Sequence, residues 1–285
     1  MAQQQVSLAG LRALPAEGDG HGERDAWLDA VGAGPLSPRL ERALRLLRGE
    51  DPEPSRAWTR VCALFAIERP ARVQEAPRLQ GVLGGLLEGV ATARRGQLLD
   101  GAEILGEVIG QARIEADEPV LTWALCERGR ACGMSGDVAE SARALTEAIT
   151  LAARNEMPVA GCMAHTGLGM LYAQEGRSHD YERHTRKGIA IARDAGDVQG
   201  ESHSLCNLGG ALTTQRRFGE AEAAYVEAQR LAARNGLVRV QALALAGRGG
   251  LLIAQGDAPG GCHCTTRRRA SSSPWGTTSR LRTTT

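Results

Sequence analysis

The sequence predicts an all-α protein built as a solenoid, a row of antiparallel helical hairpins stacked one on the next. Three observations predict this fold. Apolar residues in the central part of the chain recur at the i, i+3, i+4, i+7 spacing of one helix face. Glycines recur at a fixed interval of forty residues. The composition, with 36 glycines and only 3% aromatic residues, favours helices packed closely through small side chains over a β-sandwich.

One hairpin, residues 203–235, shows the pattern most clearly. Its first helix carries Leu208 and Gly209 on an apolar face, and a corner follows at 215–219. Its second helix places Tyr225 among alanines on the face that would meet the first helix. The small residues let the two backbones approach closely, while the leucine and the tyrosine fill the space between them.

Copies of this hairpin precede and follow it at forty-residue steps. The glycines in phase with one another are Gly89, Gly129, Gly169, Gly209 and Gly249. The corner recurs at Gly96, Gly136, Gly176, Arg216 and Gly256. Because a hairpin this short cannot bury its apolar face alone, the copies must stack. We therefore expect repeats at about 82–121, 122–161, 162–201 and 202–241, and a partial repeat at 242–257.

The order L-x-x-L-G-x-x-L at Leu205–Leu212, followed by A-x-x-x-Y at Ala221–Tyr225, resembles the tetratricopeptide (TPR) repeat. The resemblance covers residues 81–257 and implies a right-handed α-solenoid. The period of forty exceeds the usual ~34 residues, so the second helix and its exit loop are expected to be longer, for example over Leu231–Val238. HEAT-type repeats also reach this length and remain an alternative.

The N-terminal part does not follow the forty-residue register. Residues 1–35 are polar and rich in Gly and Pro, which predicts a disordered leader with a short helix around Ala26–Val31. Residues 36–80 hold two predicted helices, one beginning at Ser37 and one over 55–67. We interpret them as a divergent hairpin that caps the solenoid. A long apolar helix is then expected over about 72–94.

The fifth copy stops after its first helix. Residues 258–285 contain one Leu and no Ile or Val, with five Arg and no acidic residue. Such a segment has no apolar face to bury, so we expect a disordered tail rich in Arg, Ser and Thr. The abrupt change of composition after Asp257 suggests a shifted reading frame or a non-native end.

Charge and cysteine usage predict a cytoplasmic protein. The formal net charge is +1, which predicts no general affinity for nucleic acid or membrane. No stretch approaches the roughly 18 apolar residues that a membrane span needs. The N-terminus lacks the basic start and apolar core of a secretory signal. The seven cysteines are odd in number and scattered, which favours a reducing compartment.

Candidate chemical groups are few, and the sequence predicts no enzyme, metal site or cofactor. No metalloprotease, nucleophile-elbow, phosphate-loop or dinucleotide-binding signature occurs. Cys262–Cys264 resembles half of a zinc site, but no second pair of ligands stands at a suitable spacing. His179 and His184 fall on different helix faces and are expected at a solvated helix start. His165 occupies a slot held by Leu in neighbouring copies, so we expect it to pack.

The resemblance also implies where a ligand binds. In TPR proteins the concave wall is lined by recurring positions of the first helices. The predicted groove residues are Trp123, Cys126, Arg130, Met134, Met163, Thr166, Met170, Gln174, His203, Cys206, Asn207, Thr213 and Thr214. This mostly small and apolar lining suits an amphipathic helix or an apolar peptide better than an acidic tail.

The sequence therefore predicts a non-catalytic scaffold that binds a protein or peptide. Forty-residue copies of this type resemble the sensory or regulatory arms of bacterial signalling proteins. The alternative is a truncated regulator, a diguanylate cyclase or helix-turn-helix transcription regulator whose output domain is missing after residue 257. An enzyme of unknown type is a third possibility.

Overall fold

The computed structural model describes residues 21–32, 34–47, 54–76 and 78–256. In these ranges the chain forms thirteen α-helices and no strand, which confirms the all-α prediction. The helices are α1 (His21–Gly32), α2 (Pro38–Leu47), α3 (Pro54–Glu68), α4 (Pro70–Glu75), α5 (Gly81–Arg94), α6 (Leu98–Ile114), α7 (Glu118–Ser135), α8 (Val138–Arg154), α9 (Pro158–Gln174), α10 (Ser178–Asp194), α11 (Val198–Thr214), α12 (Phe218–Arg234) and α13 (Val238–Gln255). Within this part of the chain, no helix combines the length and the apolar character that crossing a bilayer requires. The predicted tail at 258–285 and residues 1–20 of the predicted leader lie outside the described residues.

Helices α5 to α13 form the right-handed stack of hairpins that the sequence predicts. The first helices of successive repeats are α5, α7, α9, α11 and α13, and the second helices are α6, α8, α10 and α12. Each first helix packs against the second helices on either side and also against the first helix of the next repeat. The second helices do not pack on one another to this extent. The first helices therefore form the inner, concave side and the second helices the outer, convex side.

The forty-residue period arises from two helices of about seventeen residues and two short corners. Helices α8 to α12 contain 17 residues each, and corners such as 155–157 join them. The connections between repeats are therefore shorter than the sequence suggested. The additional residues instead form an extra first turn in α7, α9 and α11, which begin at 118, 158 and 198 rather than at the predicted 122, 162 and 202.

Every corner of the solenoid places one residue in the left-handed region of the backbone. Within repeats these residues are Gly96, Gly136, Gly176, Arg216 and Gly256, and between repeats they are Ala116, Glu156, Gly196 and Gly236. Glycine adopts this conformation without steric cost, whereas residues with a side chain adopt it with strain. The corner positions inferred from the sequence are thus the positions where the chain reverses.

The in-phase glycines lie where the two helices of one repeat come closest. A β-carbon on Gly129 would lie 2.6 Å from Cγ of Leu145, and one on Gly209 would lie 2.6 Å from Cζ of Tyr225. In both repeats the glycine of the first helix meets a large residue sixteen positions further along, on the second helix. This is the contact that the glycine pattern predicts.

The short helix expected around Ala26–Val31 is longer in the structure. Residues 21–32 of the predicted disordered leader form α1, where Trp27 and Leu28 are buried. The Trp27 ring packs edge-on against Trp58 and Phe65 of α3, with ring centroids 5.9 and 5.6 Å apart. Burial of large aromatic side chains stabilises this helix although its sequence is rich in polar residues and glycine.

The long helix expected over 72–94 is interrupted. Helix α4 ends at Glu75 and α5 begins at Gly81. Pro77 has no backbone N–H and cannot continue a helix. Ala76, the residue before it, is accordingly extended, with ψ at 158°.

The hairpin of α2 and α3 lies across first helices rather than only at the end of the stack. Helix α3 packs against α5 and α7, and α2 reaches the start of α11. Arg39 on α2 forms an ion pair with Asp197, in which Nε donates to Oδ1 at 3.1 Å. Arg42 donates to the backbone oxygen of Gly196 at 2.9 Å. Residues 36–80, which were expected to cap the first repeat, therefore also contact the first helix of the fourth repeat, α11.

Candidate functional site

Four of the predicted groove residues are exposed on the first helices of repeats three and four. Met170 on α9 is 38% exposed, and Gln174 is exposed one turn later. His203 and Thr214 are exposed on α11. Ile253 on α13, forty residues after the predicted lining residue Thr213, is 51% exposed. The accessible part of the concave face therefore includes apolar as well as polar side chains.

Six further groove residues are half-buried. They are Arg130, Met134, Met163, Thr166, Asn207 and Thr213. The hydroxyls among them bond within the solenoid: Oγ1 of Thr166 lies 3.2 Å from Oγ of Ser204, and Oγ1 of Thr213 donates to the Gly209 carbonyl at 2.7 Å. The Thr166–Ser204 contact joins the first helices α9 and α11, whereas the Thr213 hydrogen bond lies within α11.

Three predicted groove residues are buried and cannot contact a ligand in this conformation. Trp123 is 1% exposed, Cys126 2% and Cys206 4%. Trp123 belongs to the same buried cluster as Phe65 of α3, so the N-terminal hairpin closes this part of the concave face. Burial raises the pKa of Cys126 and raises that of Cys206 to about 12, so both thiols remain protonated and act as packing groups.

A buried carboxylate joins the first helices of the first two repeats. Glu127 on α7 is 0% exposed and accepts hydrogen bonds from Arg94 of α5 and from Arg130 of its own helix, each through Nε at 2.9 Å. Burial by itself would raise the pKa of Glu127, but the charges and hydrogen bonds of the two arginines lower it to about 2. Two arginines thus share one carboxylate, so the group of Arg94, Arg130 and Glu127 carries a net positive charge.

His203 lies where several elements converge on the concave side. The residue has exposed surface, and the protein packed around its imidazole lowers its pKa to about 4. The positive charges of Arg39 on α2, Arg94 on α5 and Arg239 on α13 act in the same direction. His203 is therefore neutral at pH 7, and arginines from three separate helices lie near enough to influence it.

Sequence reasoning missed Glu127 and Arg94, although the repeat register contains a signal for both. Glu127 stands eighty residues before Asn207, at a position that is Gly167 in the repeat between them. Arg94 stands eighty residues before the predicted groove residue Gln174. Extending the lining positions to the first repeat would have identified Arg94. No signal in the sequence points to Arg39, because it lies outside the repeats.

Two histidines form a pair inside the third repeat. Nδ1 of His165 lies 3.1 Å from Nδ1 of His184, and the His184 ring also lies 5.3 Å from that of Tyr172. His165 packs as expected, whereas His184 is half-buried rather than solvated at the helix start. Across the described part of the chain, no three His, Cys, Asp or Glu side chains come together as a metal site. The Cys262–Cys264 motif lies outside that part.

Two clefts accompany the concave face. One, of about 230 Å³, lies between α2 and the first turns of α9 and α11, and its lining includes Arg39, Leu64 and Asp197. The other, of about 540 Å³, lies among α1, α4 and α5. Its charged lining residues, Arg78 and Glu88, pair with each other at 3.0 Å. We place the candidate site on the concave face because the exposed lining side chains of α9, α11 and α13 lie there.

Known structures of TPR-like repeat proteins share this fold. A kinesin light chain of Podosopora anserina with nearly identical TPR-like repeats is 16% identical, with a TM-score of 0.52 over 71% of this chain and 95% of its own. BtubC (BKLC) from P. vanneervenii is 15% identical, with a TM-score of 0.55 over 87% of this chain and 98% of its own. A Rap protein complexed with Competence and Sporulation Factor is 11% identical, with a TM-score of 0.58 over 89% of this chain and 71% of its own.

These likenesses establish the fold. No protein-family model and no curated protein matches the chain. At 11–16% identity the similarity shows the fold, and that fold is a solenoid of TPR-like helical repeats.

Proposed function

We propose that this protein is a non-catalytic scaffold that binds a peptide or a segment of another protein on its concave face. The observation that carries the proposal is the row of exposed side chains at lining positions of α9, α11 and α13. Exposed apolar residues on a concave surface favour a partner that can cover them. Met170 and Ile253 supply such apolar contacts, and His203 lies on the helix between them.

The chemistry of this surface supports a partner with apolar side chains, such as an amphipathic helix. The similarity to a Rap protein complexed with Competence and Sporulation Factor supports a fold that can hold a partner molecule. We further propose a cytoplasmic role in bacterial signalling or regulation, on the resemblance of the forty-residue repeats to regulatory arms.

A selection from a library of random twelve-residue peptides, performed on the full chain, tests this function. We expect peptides that bind wild type and whose affinity, measured by fluorescence anisotropy, falls at least tenfold in Met170→Glu. The matched control is Val226→Glu, because Val226 is a 44% exposed apolar residue on the second helix α12. Recovery of no binding peptide, or equal weakening by both substitutions, would argue against a binding role for the concave face.

A further inference from the structure

The smaller of the two clefts, of about 230 Å³, lies outside the lining positions of the concave face. One wall comes from α2 and α3. The other wall comes from the first turn of α9 at 158–159, the corner and first turn at 195–199, and Leu237, the residue before α13. The cleft therefore lies where the N-terminal hairpin crosses the corners that join successive repeats. None of the predicted groove residues is among its described lining residues.

Apolar side chains make up most of the lining of this cleft. Ala43, Leu64 and Leu237 are buried, whereas Val159 and Val198 are half-buried and keep apolar surface in contact with solvent. A ligand that covers this surface removes it from water, which favours binding. Because a cavity of about 150 Å³ holds benzene, a cleft of about 230 Å³ holds a molecule of roughly ten non-hydrogen atoms.

Arg42 brings a positive charge to the cleft without a charged partner. The described lining contains three arginines, Arg39, Arg42 and Arg60, and one acidic residue, Asp197. Asp197 neutralises Arg39 in their ion pair. Nη1 of Arg42 donates to the backbone oxygen of Gly196 at 2.9 Å, and no carboxylate among the described residues lies within ion-pair distance of it. Arg42 is exposed, so its other donors can meet a ligand in the cleft.

The combination of apolar walls and one available guanidinium specifies the chemistry of the ligand. A carboxylate carries a single negative charge and matches the planar fork of an arginine. A phosphate group carries a charge of about −1.5 to −2, so part of that charge would stay unmatched beside apolar side chains, which costs free energy. The cleft therefore suits a small molecule with one carboxylate and an apolar body.

We propose that this cleft binds a small monocarboxylate, whose carboxylate pairs with Arg42 and whose apolar body lies against Val159 and Val198. The inference goes beyond the proposed function, because the site lies outside the concave face and the ligand is a small molecule and not a peptide. The bound molecule contacts both the N-terminal hairpin and the starts of α9 and α11. Because it binds only when these parts are docked, it stabilises the folded protein as its concentration rises.

Two probes of equal size separate the contribution of charge from that of apolar contact. Octanoate and octanamide share one carbon chain and have roughly ten non-hydrogen atoms each, but only octanoate carries a charge. Titration of the full chain with each probe, followed in amide NMR spectra, gives the Kd and the location of binding. We expect shifts concentrated at the backbone amides of Val159 and residues 195–199. The Kd of octanamide should be roughly fivefold higher than that of octanoate, the upper range for an ion pair exposed to solvent.

Four variants test the two parts of the site. Arg42→Gln should weaken octanoate binding roughly fivefold and leave octanamide binding unchanged, because only the charge is lost. Its control is Arg230→Gln, at an exposed arginine of α12 outside the cleft lining, which should change neither affinity. Val159→Asp should weaken both probes roughly fivefold or more, and the fold tolerates it because an acidic residue suits the first turn of a helix. Val138→Asp makes the same exchange at a half-buried valine in the first turn of α8 and should affect neither probe.

Several results would overturn this inference. Equal affinity for the two probes, or unchanged octanoate binding in Arg42→Gln, would show that Arg42 does not hold a carboxylate. Displacement of octanoate by an equal concentration of inorganic phosphate would show that Arg42 attracts any anion and that the apolar walls contribute nothing. Shifts spread over the whole protein, or no binding of octanoate, would remove the site itself. None of these results bears on peptide binding by the concave face.

Discussion

Arg39 and Asp197 form a buried ion pair although 158 residues separate them in the chain. Their side chains are 8% and 5% exposed. Asp197 also accepts a hydrogen bond from the backbone N–H of Gly200 at 3.1 Å, so it caps α11 at the same time. One carboxylate thus fixes the start of a first helix and holds the N-terminal hairpin across the solenoid.

Removing the cation from this pair should destabilise the protein strongly. In Arg39→Met the carboxylate of Asp197 stays enclosed without its partner, so we expect the free energy of unfolding to fall by roughly 3–5 kcal/mol. Urea denaturation measures this change. Arg42→Met is the control, since Arg42 is exposed and contacts only the Gly196 carbonyl there, and it should cost less than about 1 kcal/mol. Equal losses of unfolding free energy in the two variants would show that the Arg39–Asp197 ion pair stabilises the protein no more than the exposed Arg42 does.

Replacing glycine by alanine should have opposite effects on stability at Gly129, where two helices approach closely, and at Gly110, where the space is open. Gly129→Ala should destabilise by about 1–3 kcal/mol, because its β-carbon would meet Leu145. Gly110→Ala lies in α6, with no atom within 4 Å of the new β-carbon, and should stabilise by up to about 1 kcal/mol through helix propensity. Thermal melting of both variants distinguishes the packing effect from propensity. Stabilisation by both would contradict the assigned contact.

Strain at the corner between the first two repeats should be relieved by glycine. Ala116 has φ of 57°, in the left-handed region. Ala116→Gly should therefore stabilise the protein by up to about 1 kcal/mol. The same exchange at Ala223, an exposed position in the interior of α12, should instead cost about 1 kcal/mol. Chemical denaturation with unchanged m-values measures both changes in the free energy of unfolding. A loss of stability in Ala116→Gly would show that the backbone at Ala116 is not strained.

The histidine pair should make stability depend on pH. Burial, followed by the charges of His184 and Lys187, lowers the pKa of His165 from 6.5 to about 4. Between these two values the unfolded chain binds a proton that the folded chain does not, so stability falls as the pH decreases from about 6.5 to about 4. His165→Leu, the residue type found at Leu125 and Leu205, should reduce this loss by on the order of 1–3 kcal/mol at pH 4. Denaturation of both proteins at pH 7 and pH 4 gives the difference, and parallel pH profiles would refute it.

The sequence predicted the repeats well because their signals are local. Gly129 and Leu145 lie sixteen residues apart, and the corners are marked by glycines, so each hairpin contains its own folding information. The prediction was less accurate at the ends of helices. The extra turn of the first helix, which begins at Glu118 in the second repeat, buries Val120, and its counterparts Ala160 and Val240 stand at forty-residue steps; the prediction did not use this signal.

The candidate site was predicted only in part. Met170, Gln174, His203 and Thr214 are exposed, as a lining position requires, whereas Trp123 and Cys126 are buried. The predicted lining positions were the same in every repeat. In the structure the hairpin of α2 and α3 covers α5 and α7 more than it covers the later first helices. The repeat pattern cannot show that difference, because the hairpin has no counterpart in the repeats.

By itself, the sequence determined the helical class, the forty-residue period, the positions of the corners and the close contacts inside each hairpin. Each of these depends on residues close together in the chain, and repetition reinforces the signal. Only the tertiary structure decided which lining positions stay open, which arginines face one another and where the N-terminal hairpin docks. Those features join residues such as Arg39 and Asp197, or Arg94 and His203, whose proximity depends on the curvature of the whole stack and leaves no spacing in the sequence.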